Sequence, residues 1–394
     1  MVKDQDVGAW LAAGVITEAQ AQRMLSDLSV RRKDRASDKL IVTISTIGAV
    51  LLGIGAILFV AANWQGFSHL IKVFILGGST FSVTLLGYAL AYETKSLPKV
   101  GAALLFLGTL LLGATLFLLA QMYHVQANSH VLVLMWLVGV LPLVYLLRSN
   151  VIGGLATVLG FVWFGLFVFR GMALQPQDWL ALPVLYLLAG LLVFELGGLH
   201  DLRPQLRPVA RVYRIGALKV VLVSLLLLTF RFISGYYKYW SHETARTYSP
   251  QIIAGVALIG VVAVALAVAN RLKNPLQSET IKLETAISLG LSALALVYFF
   301  FPSPRTNLYP VLFNLAMAGC IFAMIIVGYR REDFWLINAG MSAFSLLVFI
   351  RYCDVFWELL PRSLFFMMGG AILVAGGVLL ERKRRELRAR FANK

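Results

Sequence analysis

Apolar residues in this chain come in successive blocks of about 20, separated by short polar or basic stretches. A helix of that length covers the roughly 30 Å hydrocarbon core of a bilayer, where every backbone N–H and C=O must be bonded within the chain. The pattern predicts an all-α fold, a polytopic transmembrane helical bundle. In order, the blocks fall at about 40–62, 70–92, 100–120, 130–147, 151–169, 179–196, 214–235, 251–269, 282–301, 310–328, 334–350 and 362–380, which makes 12 spans. Around Arg148 to Asn150 the sequence allows either a tight hairpin or a re-entrant pair. Composition excludes a soluble globular domain: 59% of the 394 residues are hydrophobic and 14% charged, with a mean hydropathy of +0.81. The first 39 residues are polar and helix-forming, so no cleavable leader is expected.

Lys and Arg set the orientation, because loops on the cytoplasmic side retain positive charge. With the amino terminus inside, the inner side collects Arg31, Arg32, Lys33, Arg35, Lys39, Lys95, Lys99, Arg148, Arg203, Arg207, Arg211, Arg214, Arg271, Lys273, Lys282, Arg330 and Arg331. The outer side holds Lys72, Arg170, Arg231, Lys238, Arg246, Arg305, Arg351 and Arg362. Both termini are expected in the cytoplasm, followed at the carboxyl end by a basic tail, 381–394. The formal charge of +16 is spread over many short loops, which suits anionic lipid headgroups at the inner face rather than nucleic acid.

Residues 1–39 form a small cytoplasmic module. Val7 to Ala13 reads as a short amphipathic helix stopped by Gly14, and Thr17 caps a second helix, with Gln20 completing a capping box. The remaining divisions are 40–147, duplicated transmembrane hairpins, and 148–380, the other spans; whether the latter form a separate bundle is left open. The duplication rests on Gly55-Ala-Ile-Leu-Phe-Val-Ala-Ala-Asn63, which lines up with Gly113-Ala-Thr-Leu-Phe-Leu-Leu-Ala-Gln121. Each copy is followed by a loop ending in Ser-His, Ser68-His69 and Ser129-His130.

The same places carry a family resemblance. Ala61-Ala62-Asn63-Trp64, Ala120-Gln121-Met122-Tyr123-His124 and the hairpin Leu11-Ala12-Ala13-Gly14-Val15-Ile16-Thr17 resemble the hallmark segments of a bacterial predicted-membrane-protein family, domain of unknown function 2157. The resemblance covers about residues 1–150. It implies an architecture, residence in a bacterial inner membrane and an envelope partner, and it implies no reaction.

Asn63, Trp64, Gln65, Gln121, Tyr123, His124 and His130 are expected near the outer ends of the first four spans. Together they form a candidate outer-face polar cluster for a headgroup, a sugar or a metal. The aromatic residues equally suit an interfacial belt, and the amides equally suit helix ends and helix contacts. Metal-ligand spacing is missing, since no carboxylate or Cys accompanies the imidazoles, and no metal or other cofactor is called for. Cys320 and Cys353 make neither a disulfide framework nor a metal cluster.

Charges within spans mark pathways in membrane proteins because each is costly unless paired or used. Here Glu195 and Lys219 fall near the inner ends of adjacent spans and form a candidate buried pair, while Lys72 can reach an interface. No carboxylate or imidazole is expected at the bilayer midplane. Enzymes of the intramembrane type fare poorly: no two Asp lie within spans, no His lies in mid-bilayer, and no phosphate-binding loop appears. A catalytic group at the outer surface would have to come from Asp354, Glu358 and His242. Three classes follow: a transporter or protein handling lipids or small molecules, a non-catalytic envelope scaffold, and, least supported, an enzyme acting at the outer face. A polar cavity reaching mid-membrane would favour the first.

Overall fold

The computed structural model describes residues 7, 10–11, 14–63, 66–124, 128–172, 174–234, 248–273, 279–301, 308–356 and 362–392. All regular structure among them is helical. The long helices are α1 (Glu18–Asn63), α2 (His69–Tyr88, extended by a π turn to Glu93), α3 (Pro98–Met122), α4 (Ser129–Leu147), α5 (Asn150–Leu166, with a π turn to Gly171) and α6 (Leu182–Asp201). After them come α7 (Arg207–Leu228), α8 (Pro250–Lys273), α9 (Glu279–Phe300), α10 (Leu308–Arg330), α11 (Phe334–Phe356) and α12 (Arg362–Ala392).

Nine stretches among the described residues are long and apolar enough to cross a membrane, and they belong to α2 through α6 and α8 through α11. The blocks expected at 40–62, 214–235 and 362–380 fall on α1, α7 and α12, outside those nine. In α1 the apolar stretch that stands out is the shorter Leu40–Gly55. In α7 the stretch 207–219 carries Arg207, Arg211, Arg214 and Lys219. Helices α4 and α5 are joined through Arg148, whose φ of 51° is left-handed, and each is long enough to cross by itself.

Local signals at the amino end are realised as the sequence suggests. Gly14 adopts φ 69°, the left-handed conformation that glycine accepts at no steric cost. Thr17 N–H donates to Gln20 Oε1 at 2.9 Å, and Gln20 N–H donates back to Thr17 Oγ1 at 3.4 Å. Most of Val7–Ala13 lies outside the described residues. The helix that begins here does not end at the basic cluster: α1 runs unbroken for 46 residues, so the second helix of the expected hairpin and the first apolar block are one element. No Pro or Gly interrupts residues 18–47, so no residue type there stops a helix.

The chain divides into two compact units, Met1–Trp163 and Phe164–Lys394. Lipid is as apolar as Leu, so helices in a membrane hold together by close packing and hydrogen bonds rather than by water exclusion. In the first unit, α2 and α3 meet at glycines: a methyl group on Gly101 would lie 2.6 Å from Ala91 N, and one on Gly87 would lie 2.8 Å from Leu105 N. Thr80 and Thr115 hydroxyls bond across the same contact at 2.9 Å. Helix α1 packs on α3 through Ala49, Ala103, Leu107 and Leu111. Trp136 of α4 lies against Gly113 and donates its indole N–H to Thr109 O at 2.8 Å. The two copies of the repeat thus differ, because Gly113 is filled by that ring whereas Gly55 has open space around it.

The second unit is organised around α6, the most enclosed of the nine spans. Gly190 and Gly197 admit α7, and Gly198 admits Asn270 of α8. The core includes Leu185, Leu188, Val221, Leu225, Ile252, Phe313 and Ile321. At one end of this unit Asp178 is fully buried and accepts from Gln175 N–H, Ser249 N–H and the Ser249 hydroxyl at 2.9–3.0 Å. At that end Arg351 also donates to the Thr229 hydroxyl at 2.6 Å, pairs with Asp354 at 2.8 Å and lies over the Phe230 ring. Asp354 is thereby committed to Arg351, and Glu358 and His242 lie outside the described residues.

Candidate functional site

The polar cluster expected in the first unit is only partly assembled. Asn63 is the last residue of α1, and Trp64 and Gln65 lie outside the described residues. Gln121, Tyr123 and His124 are exposed at the end of α3, and His130 is half-buried in the first turn of α4. His124 closes α3 with a left-handed φ of 50°, and its N–H donates to Gln121 O at 3.2 Å. Tyr123 stacks on His69, with ring centres 6.3 Å apart. His69 was legible as half of the Ser-His repeat, yet it stood outside the expected cluster. Ser68 before it caps α2, accepting from Ile71 N–H at 3.4 Å. Among the described residues, no group of three His, Cys, Asp or Glu side chains could hold a metal ion. The first unit also has an apolar groove, lined by Phe81, Thr84, Tyr88, Tyr92, Leu105 and Leu147, toward the opposite ends of α2 and α3 from this cluster.

The second unit holds a more developed site. At the end where α6, α8 and α10 finish and α7, α9 and α11 begin, a cavity of about 350 Å³ opens between α6, α7, α9, α10 and α11. Its mouth carries four guanidinium groups, those of Arg207, Arg211, Arg214 and Arg331, against three carboxylates, those of Asp201, Glu284 and Asp333. Its depth is apolar, with Leu218, Val221, Leu291, Ala323, Met324 and Val327. Leu191, Leu291 and Cys320, which also line it, lie near the middle of α6, α9 and α10, so the cavity runs from a charged mouth to half the length of these helices.

The mouth is held by hydrogen-bonded charge. Glu284 Oε2 accepts from Arg214 Nη2 at 2.5 Å and from Arg331 Nη2 at 2.9 Å, while Oε1 takes Arg331 Nη1 at 2.8 Å. Arg331 is thus held bidentately, the geometry that a guanidinium fork favours. Arg214 also lies 4.5 Å above the centre of the Phe194 ring, a cation–π contact that fixes its plane. Arg211 reaches Asp333 at 3.6 Å with most of its side chain exposed.

Beside this network, Glu195 is 3% exposed. Sequence had set it beside Lys219. Instead Asn270 Nδ2 donates to its Oε2 at 2.6 Å and to its backbone carbonyl at 2.7 Å, and Lys219 is exposed. The reason is angular. The buried positions of α7 are Ala210, Tyr213, Ala217, Val221 and Ser224, and Lys219 lies about 200° around the helix from Ala217. Ser288 of α9 stands near the same carboxylate and also lines the cavity. Lys72, expected to reach an interface, is 8% exposed. Of these groups, sequence reasoning missed Asn270 and Glu284, and it read the arginines as topology signals only. The available signal was the spacing of Arg207, Arg211 and Arg214, four and three apart, which puts them on one helix face.

Comparison with known proteins is informative for one part of the chain. Residues 8–153 match the family Predicted membrane protein (DUF2157). The match to DUF2157 agrees with the resemblance drawn from the three motifs and covers most of the first unit, ending before α6. The basic-mouthed cavity lies wholly outside the DUF2157 region. No curated protein and no solved structure matches the chain.

Proposed function

We propose that this is an inner-membrane protein that handles a small or lipid-like molecule, as a transporter or a lipid-handling protein, through the cavity of its second unit. The observation that carries this reading is the reach of that cavity, from the arginine-rich mouth to Leu291 and Cys320 at mid-helix. Ligand sites are concave, mostly apolar and furnished with a few convergent polar groups, and this one has that character. A membrane scaffold has no need of a charged opening leading to mid-bilayer.

The finer topology belongs to the same proposal: 12 spans, including the apolar parts of α1, α7 and α12, with both termini and residues 1–39 in the cytoplasm. The distribution of Lys and Arg supports it, since Arg203, Arg207, Arg211, Arg271, Lys273 and Arg330 gather at the cavity end. On this topology the mouth opens to the cytoplasm, and the basic tail meets anionic headgroups. A second reading, a non-catalytic scaffold with an envelope protein partner, is favoured by the large exposed apolar surface of α1, α2 and α11, with Leu51, Leu58, Phe74, Phe81 and Leu346 all more than half exposed.

The contents of the cavity allow a direct test. Mass spectrometry of the purified protein is expected to find a co-purifying small molecule that Ala323→Trp, which fills the depth, no longer carries. Identical contents in both proteins would leave the scaffold reading.

A further inference from the structure

We infer that the cavity of the second unit binds a single-chain amphiphile with a phosphate head, the head at the arginine mouth and the chain in the apolar depth. This rests on the functional reading above and names its ligand class.

The mouth decides the head. Arg207, Arg211 and Arg214 follow one another along a single face of α7, and Arg331 joins them from just beyond the end of α10. Glu284 already supplies one carboxylate, which occupies the fork of Arg331 and one nitrogen of Arg214. A guest carboxylate would duplicate it with only two oxygens. What remains are the other donors of Arg214, the loosely held Arg211, and Arg207, which forms no ion pair with the described residues. Donors spaced along two turns of helix suit the three terminal oxygens of a phosphate monoester, with guanidinium the side chain best matched to phosphate. With Arg214 18% and Glu284 16% exposed, the inner part of the mouth is poorly screened, and across the whole lining four guanidiniums face three carboxylates.

The depth decides the rest. Apart from the Ser288 hydroxyl one turn below Glu284, the walls formed by Leu218, Val221, Leu291, Ala323, Met324 and Val327 offer no partner to a second polar group. From Arg207 to Val221 the α7 wall measures about 21 Å at 1.5 Å per residue, a length an extended acyl chain can follow. The volume of about 350 Å³ sits near the lower end of ligand cavities, which admits one chain and excludes two.

The test is native mass spectrometry of the purified full chain, titrated separately with palmitoyl lysophosphatidic acid, palmitic acid and inorganic phosphate. Lysophosphatidic acid is expected to bind one to one, at least about tenfold more tightly than palmitic acid. Arg211→Gln is expected to weaken it about tenfold and Arg207→Gln several-fold, while Arg271→Gln, at the same end but off the cavity, leaves it unchanged. Ala323→Trp, or Leu218→Phe should the first fail to fold, is expected to abolish lipid binding. Palmitic acid binding as tightly as lysophosphatidic acid would overturn the phosphate head. Inorganic phosphate binding equally well, indifferent to Ala323→Trp, would overturn the chain and make the site one for free phosphate. Lipid adducts unchanged in every variant would be annular lipid and overturn the inference entirely. A co-purifying molecule of any other class that is lost on Ala323→Trp tells these failures apart from failure of the broader reading.

Discussion

The two units solve the same packing problem with different chemistry. In the first, α2 and α3 are drawn together at Gly87, Gly101 and Gly108, and threonine hydroxyls and the Trp136 N–H bond across the contacts. In the second, α6 uses Gly190, Gly197 and Gly198 in the same way, but carboxylate, amide and guanidinium groups stand between helices, and a cavity opens beside them. Backbones that touch at Gly87 and Gly101 leave no room between them, and the groove of the first unit opens beside that contact with no ionisable carboxylate or guanidinium in its lining. Helices braced apart by long charged side chains can leave room, at the cost of holding buried charge by exact partners. The difference sets glycine contacts and hydroxyl bonds in the region that matches DUF2157 against buried charge beside a cavity in the region beyond it.

The largest effect is expected where packing is tightest. Gly101→Leu should destabilise the first unit by about 3 kcal/mol or more, or prevent folding, since even a methyl there meets backbone. Gly55→Leu, in open space, should cost almost nothing, and detergent-driven unfolding curves of the two variants would blur the comparison if they coincided. Next comes Glu284→Ala, which strands two partly buried guanidiniums. A loss of about 2 kcal/mol is expected, below the 3–5 kcal/mol seen on full burial, and Glu284→Ala with Arg331→Met should recover part of it in thermal melts. Asn270→Ala removes the donor to Glu195 and should cost about 1–2 kcal/mol, read as faster hydrogen exchange at the end of α8. Gly198→Ala should act in the same direction, because its methyl would lie 2.4 Å from Asn270 Nδ2. The smallest effect is assigned to His69→Ala: rings 6.3 Å apart and an exposed Tyr123 leave at most about 0.5 kcal/mol, and a larger shift in melting temperature would show that the first unit too is held by its polar end.

Much of the fold was legible because a bilayer makes the backbone solve its hydrogen bonding locally. Nine of the expected blocks coincide with apolar helices, and the capping box of Thr17 and Gln20 and the left-handed Gly14 are present. Residues 18–39 and the first apolar block share one helix, because continuity of α1 depends on the absence of a helix stop and not on where the basic cluster falls. The candidate site was legible to a lesser degree. Residue types at helix ends pointed to Gln121, Tyr123 and His124, which are exposed, and the stacking partner His69 emerged only when α2 and α3 were seen to be antiparallel neighbours.

By itself, then, the sequence determined membrane residence, helical class and the local caps, since these depend on composition, block length and residues within one turn. Only the tertiary structure decided that Glu195 meets Asn270, 75 residues away, and that Glu284 joins Arg214 and Arg331, 70 and 47 residues away. Those pairings depend on which helices are neighbours and on how each is rotated about its axis. A near-uniform apolar surface leaves both unspecified along the chain, and only the packing of small residues against particular partners fixes them.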